Sequence, residues 1–215
     1  MSVTRWVLAS SNAGKLREFS HGLAGLLARD GIELINQGDL GIAAADEPFQ
    51  SFEENALAKA RHASRASGCA AIADDSGLCV DALGGAPGVR SARYWEDHRA
   101  RCPEPLRAQL DALGTDEANW RYLLTQIAGP SAAQFRCVIA FVRSADDTSP
   151  IVVHGVWPGQ VTGEVRGAQG FGYDPIFHLP QLGKTAAELR LDEKNRISHR
   201  GQALRAFADA LSQLR

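Results

Sequence analysis

The chain has 215 residues, with 23 basic and 25 acidic side chains and a formal net charge of -2. That balance excludes bulk attraction to nucleic acid or to an anionic membrane surface, and no run approaches the roughly 20 apolar residues of a membrane span. The four cysteines, Cys69, Cys79, Cys102 and Cys137, form no C-x-x-C pair, which argues against a zinc ribbon or a thioredoxin-type motif. Without a charged segment and a long apolar run at the N-terminus, a reduced, cytoplasmic protein is expected.

In chain order, residues 5–10 (RWVLAS) read as a first strand opening into the loop SSNAGK. A helix follows from about Lys15, since Leu16, Phe19, Leu23, Leu26 and Leu27 recur at helical spacing. Gly31 stops it, and IELIN is a second strand. Residues 51–67 form the best-signed helix: Ser51 caps it, Glu54 stands at the capping-box position, and Ala56, Ala60 and Ala63 make a narrow apolar face before Gly68. Residues 69–73 predict a short buried strand ending at Asp74 and Asp75, with Ser76-Gly77 turning the chain away. Residues 96–116, polar and with two prolines, read as a surface excursion.

Trp120, Leu123, Leu124 and Ile127 mark another helix. FRCVIAFV (135–142) and IVVHGVW (151–157) predict two strands as a hairpin, with a further short strand over 161–165. Thr185 and Glu188 offer a second capping box, and the last helix carries Leu204, Phe207, Ala208, Leu211 and Leu214 on one face. Strands and helices alternate early and strands adjoin late, which predicts an α/β fold with a mixed sheet. No internal repeat or low-complexity tract interrupts it.

Four stretches carry chemistry. SSNAGK places Gly-Lys between a strand and a helix, where backbone N–H groups and a lysine suit phosphate. It is not a Walker A loop, because Ala9 replaces the first glycine and Leu16 the Ser/Thr. A capped helix start with a solvated lysine explains the same residues. The acids Asp46, Glu47, Glu53, Glu54, Asp74 and Asp75 come from two neighbouring segments. Magnesium takes one or two carboxylates, waters and substrate phosphates, so a pair at a strand end suits it; Glu53 is assigned to first-turn helix charge instead. In GFGYDP (170–175) the glycines permit tight turns and Phe171 or Tyr173 offers a ring to a base, unless both aromatics are core. In DEKNRISHRG (192–201), Lys194, Arg196, His199 and Arg200 gather near a helix start, as a ligand site or as a solvated charged face.

The order of these stretches is more specific than any one of them. SSNAGK, SFEENALAKA, IADDSGLCVDALGGAPGVRSARY, GFGYDPIF and KNRISHRGQAL, spanning about Val7 to Ala210, together resemble the inosine triphosphate pyrophosphatase family. The resemblance implies hydrolysis of dITP, ITP and XTP to monophosphate and pyrophosphate, with magnesium and a homodimer. It implies one α/β domain over residues 1–215, a long curved mixed sheet with two lobes around a substrate cleft. Carried over residue by residue, Ser10, Ser11, Asn12, Ala13, Gly14 and Lys15 match the phosphate loop. Asp75 matches the catalytic acceptor and metal ligand, and Ser76 a substrate contact. Phe171, Gly172, Tyr173 and Asp174 match the base pocket, and Lys59, Lys194, His199 and Arg200 further substrate contacts. The family commonly has glutamate at the position of Asp46, one methylene longer, so Asp46 and Glu47 both stand as metal candidates. Residues 97–114 read as an insertion after SARY.

The mechanism implied is attack of water at the α-phosphorus, oriented or deprotonated by Asp75 or Asp74, with Lys15 facing the leaving pyrophosphate. His199, Arg200 and backbone N–H groups near Phe171–Asp174 can donate to a 6-oxo purine. Two other classes compete: a related pyrophosphatase for dTTP or UTP, and a nucleotide-sensing module without turnover.

Overall fold

Alternation of side chains along the strands sets the layers of this fold. The computed structural model describes residues 4–213, so Leu214 lies outside the described residues. The first elements are β1 (Thr4–Leu8), α1 (Ala13–Asp30), β2 (Ile32–Asn36), α2 (Phe52–Ser67) and β3 (Ala70–Val80). Next come α3 (Tyr94–Arg99), α4 (Glu104–Asp111), α5 (Thr115–Thr125), β4 (Ser131–Val142) and β5 (Ile151–Val161). The chain ends with β6 (Phe177–Leu179), β7 (Lys184–Thr185), α6 (Leu191–Ile197) and α7 (His199–Gln213). Among the described residues, seven strands form a sheet in the order β2-β1-β3-β4-β5-β6-β7. β1 runs parallel to β2 and β3, with Trp6 opposite Leu34 and Ala70, while β5, β6 and β7 pair antiparallel. The α/β class and the mixed sheet are as expected.

The chain divides into two compact units, and β3, β4 and β5 contribute to both. The first holds residues up to Asp75, Cys137–Val156 and the chain from Asn195. Its central strands β3 and β4 are buried on both faces. Trp6, Leu8, Ile72, Cys137, Ile139 and Phe141 face α1 and α7, packing on Phe19, Leu23, Leu204 and Phe207. The residues between them, Val7, Ala9, Ala71, Ala73, Val138, Ala140 and Val142, meet Ala56, Ala60 and Ala63 of α2. Period two along each strand therefore assigns each position to one helix layer. Gly155 admits α7 closely: a Cβ there would stand 1.9 Å from the His199 carbonyl oxygen.

The second unit holds Ser76–Arg136 and Trp157–Lys194. Its core joins Leu78 and Val80 of β3 to Trp95, Leu110, Trp120, Leu123, Phe135, Trp157 and Phe177. Residues 96–116 are thus not a mere surface excursion. They contribute α3, α4 and the start of α5, and Cys102 and Leu110 are buried, because the apolar positions of a polar segment are enough to seat short helices.

Two strand boundaries differ from expectation. β5 continues to Val161 and no strand covers 162–165. β3 does not end at Asp74 but runs through Asp74, Asp75, Ser76 and Gly77 to Val80. Gly77 serves close packing rather than a turn, since a Cβ would stand 2.2 Å from the Gly88 carbonyl oxygen and 2.5 Å from Ser91 Oγ. Ser51 caps α2, its hydroxyl accepting from the Glu54 N–H and donating to the Glu54 carboxylate, and the capping box of Thr185 with Glu188 opens the 3-10 turn Ala186–Glu188 rather than a longer helix.

Candidate active site

The two aspartates of β3 are consecutive and therefore point to opposite faces. Asp74 shares the face of Ile72 and meets α1 and α7. Its Oδ1 lies 3.1 Å from Lys15 Nζ, and its Oδ2 accepts from Arg200 Nη2 at 2.9 Å and Nε at 3.3 Å. Arg200 Nη1 also donates to Glu18. Asp74, Glu18 and Arg200 are each at most 3% exposed. Burial opposes ionisation of Asp74, but Lys15, Arg200 and Lys59 outweigh it and hold the carboxyl far below the usual carboxylate range. Cys137, with Sγ 4.0 Å from Asp74 Oδ2, has its thiol pushed up to about 12, first by burial and then by that charge.

Asp75 shares the face of Ala71 and Ala73 and meets α2. Lys59 Nζ donates to its Oδ1 at 3.0 Å and Asn55 Nδ2 to its Oδ2 at 3.2 Å. The same Lys59 ammonium reaches Glu47 Oε1 at 2.7 Å. Burial raises the Asp75 carboxyl above its ordinary value, and Lys59 and Lys15 offset this only in part. Burial also works against the charge of Lys59, yet Asp75, Asp74 and Glu47 together raise it. Two adjacent carboxyls are thereby driven in opposite directions, the pattern that separates a fixed charge from an acid–base group.

Among the described residues, no group of three or more His, Cys, Asp and Glu side chains gathers for a metal. Asp75 and Glu47 nevertheless bracket one cation, the Lys59 ammonium, from two sides. Two hard oxygen donors fit an ion that takes one or two carboxylates and fills its remaining positions with water and phosphate. Asp46 is exposed and Glu47 half-buried, so of the two candidates it is Glu47 that reaches toward Asp75.

The residues of SSNAGK precede and open α1. Asn12 caps the helix, its Oδ1 accepting from Lys15 N at 3.0 Å, and its own N–H donates to Ser10 Oγ at 3.2 Å. Ser11, Asn12 and Ala13 are exposed, Gly14 is buried, and Lys15 turns back to Asp74.

In the second unit, GFGYDP folds around Asp174. Its Oδ2 accepts from the Phe171 N–H at 2.9 Å and from Lys194 Nζ at 2.6 Å, and Lys194 Nζ lies 5.1 Å from the Phe171 ring centre. The Gly172 N–H donates to Asp116 at 2.8 Å. Tyr173 is a core residue, 4% exposed, with its hydroxyl donating to the Ser91 carbonyl at 2.8 Å; its ring is not offered to a base, whereas Phe171 is half-buried. Ser76 is half-buried on β3, and His199 is buried at the start of α7. Arg200 is buried, and its guanidinium donates to the carboxylates of Asp74 and Glu18.

Asn55, Glu18 and Asp116 escaped the sequence reading. A polar residue on an otherwise apolar helix stripe was the available signal: Asn55 precedes Ala56 on the α2 face, and Glu18 precedes Phe19 on the buried side of α1.

The Ham1 family matches residues 6–210. The chain belongs to the Ham1 family. Its relatives include the dITP/XTP pyrophosphatase of Burkholderia pseudomallei, 50% identical over 214 residues, with 99% of this chain and 95% of that protein covered. The dITP/XTP pyrophosphatase of Yersinia pseudotuberculosis is 49% identical, covering 95% of this chain and 96% of its own length. Among solved structures, a HAM1 protein from Coxiella burnetii is 39% identical at a TM-score of 0.77, covering 98% of this chain and 99% of that one. The mixed sheet is the frame of this chain, and no helix among the described residues is long and apolar enough to cross a membrane.

Proposed function

We propose that this chain hydrolyses non-standard purine nucleoside triphosphates, dITP, ITP and XTP, to the monophosphate and pyrophosphate, clearing deaminated purines from the nucleotide pool. One observation carries the reading: about half its residues are identical, over nearly the full length, to proteins named for that activity. The first unit supplies matching chemistry.

Asp75 is assigned as the base. Strand β3 fixes its backbone, and its Oδ accepts the proton of the attacking water as oxygen bonds to the α-phosphorus. The α–β bridging bond breaks, and its electron pair leaves with pyrophosphate. Magnesium, held by Asp75 and Glu47, would screen the phosphate oxygens and polarise the phosphorus. Lys15 and Lys59 face the charge that develops on the leaving group, and the N–H groups from Ser10 to Gly14 bind phosphate oxygens. Asp74 stays ionised and holds Lys15 and Arg200. Base recognition falls to Phe171, the Gly172 backbone, Asp174, Lys194 and His199, with Ser76 as a further substrate contact. A homodimer in the cytoplasm belongs to the same reading.

Pyrophosphate release from dITP, with and without magnesium, tests it. Turnover should require the metal and should favour dITP, ITP and XTP over dATP, dGTP, dTTP and UTP. Nucleotide binding without pyrophosphate release would leave a sensing module instead.

A further inference from the structure

We propose that Asn55 is a positioning residue that sets the acidic loop bearing Glu47 against Asp75; this rests on the assignment of those two carboxylates to the metal. Asn55 is 0% exposed. Its carboxamide is engaged on both sides: Nδ2 donates to Asp75 Oδ2 at 3.2 Å and to the Phe49 carbonyl at 3.1 Å, while Oδ1 accepts from the Phe49 N–H at 3.1 Å. One side chain therefore closes both backbone groups of a residue two positions after Glu47, and holds Asp75 with the same nitrogen.

The loop needs such a partner. Residues 42–49 lie in no helix, strand or turn, so their backbone groups find no ladder to join. The face of α2 supplies one. One turn beyond Asn55, Lys59 binds Glu47 and Asp75; a further turn on, His62 Nε2 lies 3.0 Å from the Ala43 carbonyl oxygen. Positions 55, 59 and 62 share one helix face and meet residues 49, 47 and 43, so the loop runs back along the helix. Lys59 competes with a metal because its ammonium takes the oxygens a cation needs. Asn55 is neutral and does not compete. When a cation enters, Asn55 keeps Asp75 and the loop in place, while Lys59 is released to phosphate.

The test is Asn55→Ala in the full chain, with Mn2+ binding to nucleotide-free protein read by electron paramagnetic resonance and dITP turnover read against magnesium concentration. Partners that orient ligands typically govern metal affinity or activity by about 10–100-fold. Mn2+ affinity and the half-saturating magnesium concentration should both shift by that order, with kcat recovering in part at high magnesium and KM for dITP then near wild type. A variant with lowered kcat but unshifted Mn2+ affinity would reduce Asn55 to a stabilising residue and overturn the proposal. Should the variant fail to fold, amide exchange at Phe49 in the native protein decides: slow exchange is expected for an N–H held by a buried oxygen, and exchange at free-loop rates overturns the clamp. Weakened Mn2+ binding in Asn55→Ala beside a wild type inert toward dITP would sink the activity and leave the positioning role intact.

Discussion

Asp74 and Asp75 are neighbours in sequence with the same side chain, and β3 sends them into different surroundings. Asp74 enters the layer of α1 and α7, where an arginine and a lysine neutralise it and a second carboxylate shares the arginine. Asp75 enters the layer of α2, where one lysine and one amide hold it and the lysine is shared with a half-buried glutamate. The first set balances two buried carboxylates with two cations; the second shares one lysine between two carboxylates. One residue of offset along a strand thus separates a fully neutralised charge from the carboxylate proposed as the base.

Asp75→Asn should break the contrast from the reactive side with the largest effect. General-base contributions are roughly 10²–10⁴-fold, so kcat for dITP should fall by at least that, with KM little changed. Stability should not fall, because the buried carboxyl of Asp75 has its pKa raised. A group of that kind ionises less readily folded than unfolded, so its charge destabilises the fold at neutral pH. Urea denaturation should place Asp75→Asn at or above wild type, and a large loss of stability would refute the assignment.

Arg200→Met breaks it from the structural side. It leaves Asp74 and Glu18 as buried charges without their shared cation, a change that costs about 3–5 kcal/mol in buried pairs. Urea denaturation at pH 7 reads this directly. Restored stability in Arg200→Met with Glu18→Gln and Asp74→Asn together would show that the loss of the shared cation, not lost packing, is the cause.

The same comparison has a pH signature. The Asp74 carboxyl lies far below its ordinary value in the fold, so its stabilisation is fully present above the unfolded carboxylate pKa of about 4 and drains away as pH falls below it. Between about pH 5 and pH 2, in units set by that reference, Asp74→Asn should show a shallower loss of stability than wild type, at a lower starting level. An unchanged slope would mean that other carboxylates govern acid unfolding.

How much of this was legible in sequence depends on the kind of signal. The helices at 13–30 and 52–67 and the α/β class followed from periodicity and caps, because those are local. The residues of the phosphate loop, the acids and GFGYDP were found as stretches, because chemistry concentrates polar and glycine residues there. The end of β3 was missed for a physical reason: two charges in a row argue against a buried strand until partners from residues 15, 59 and 200 are known, and those pairings are non-local. The internal partners of Tyr173 and Arg200 are hidden for the same reason, since Ser91, Glu18 and Asp74 are distant along the chain. Asn55 carries only a faint signal, one amide beside an alanine stripe and no motif of its own.

The smallest effect concerns the start of α2. Ser51 caps this helix, accepting from the Glu54 N–H at 3.2 Å and donating to the Glu54 carboxylate at 2.6 Å. Ser51→Ala should cost about 1 kcal/mol of stability, as caps of this kind do. Asn55 stands just past that first turn, so fraying there should loosen the hold on Phe49 before the core layer of Ala56, Ala60 and Ala63 feels it. The contrast between the two faces of β3 then predicts a selective outcome: a small rise in the magnesium requirement for dITP turnover, with the Asp74–Arg200 side and its acid unfolding unchanged. Thermal denaturation and magnesium titration of one purified variant separate the two, and an altered acid transition without a magnesium shift would show that the faces are not independent.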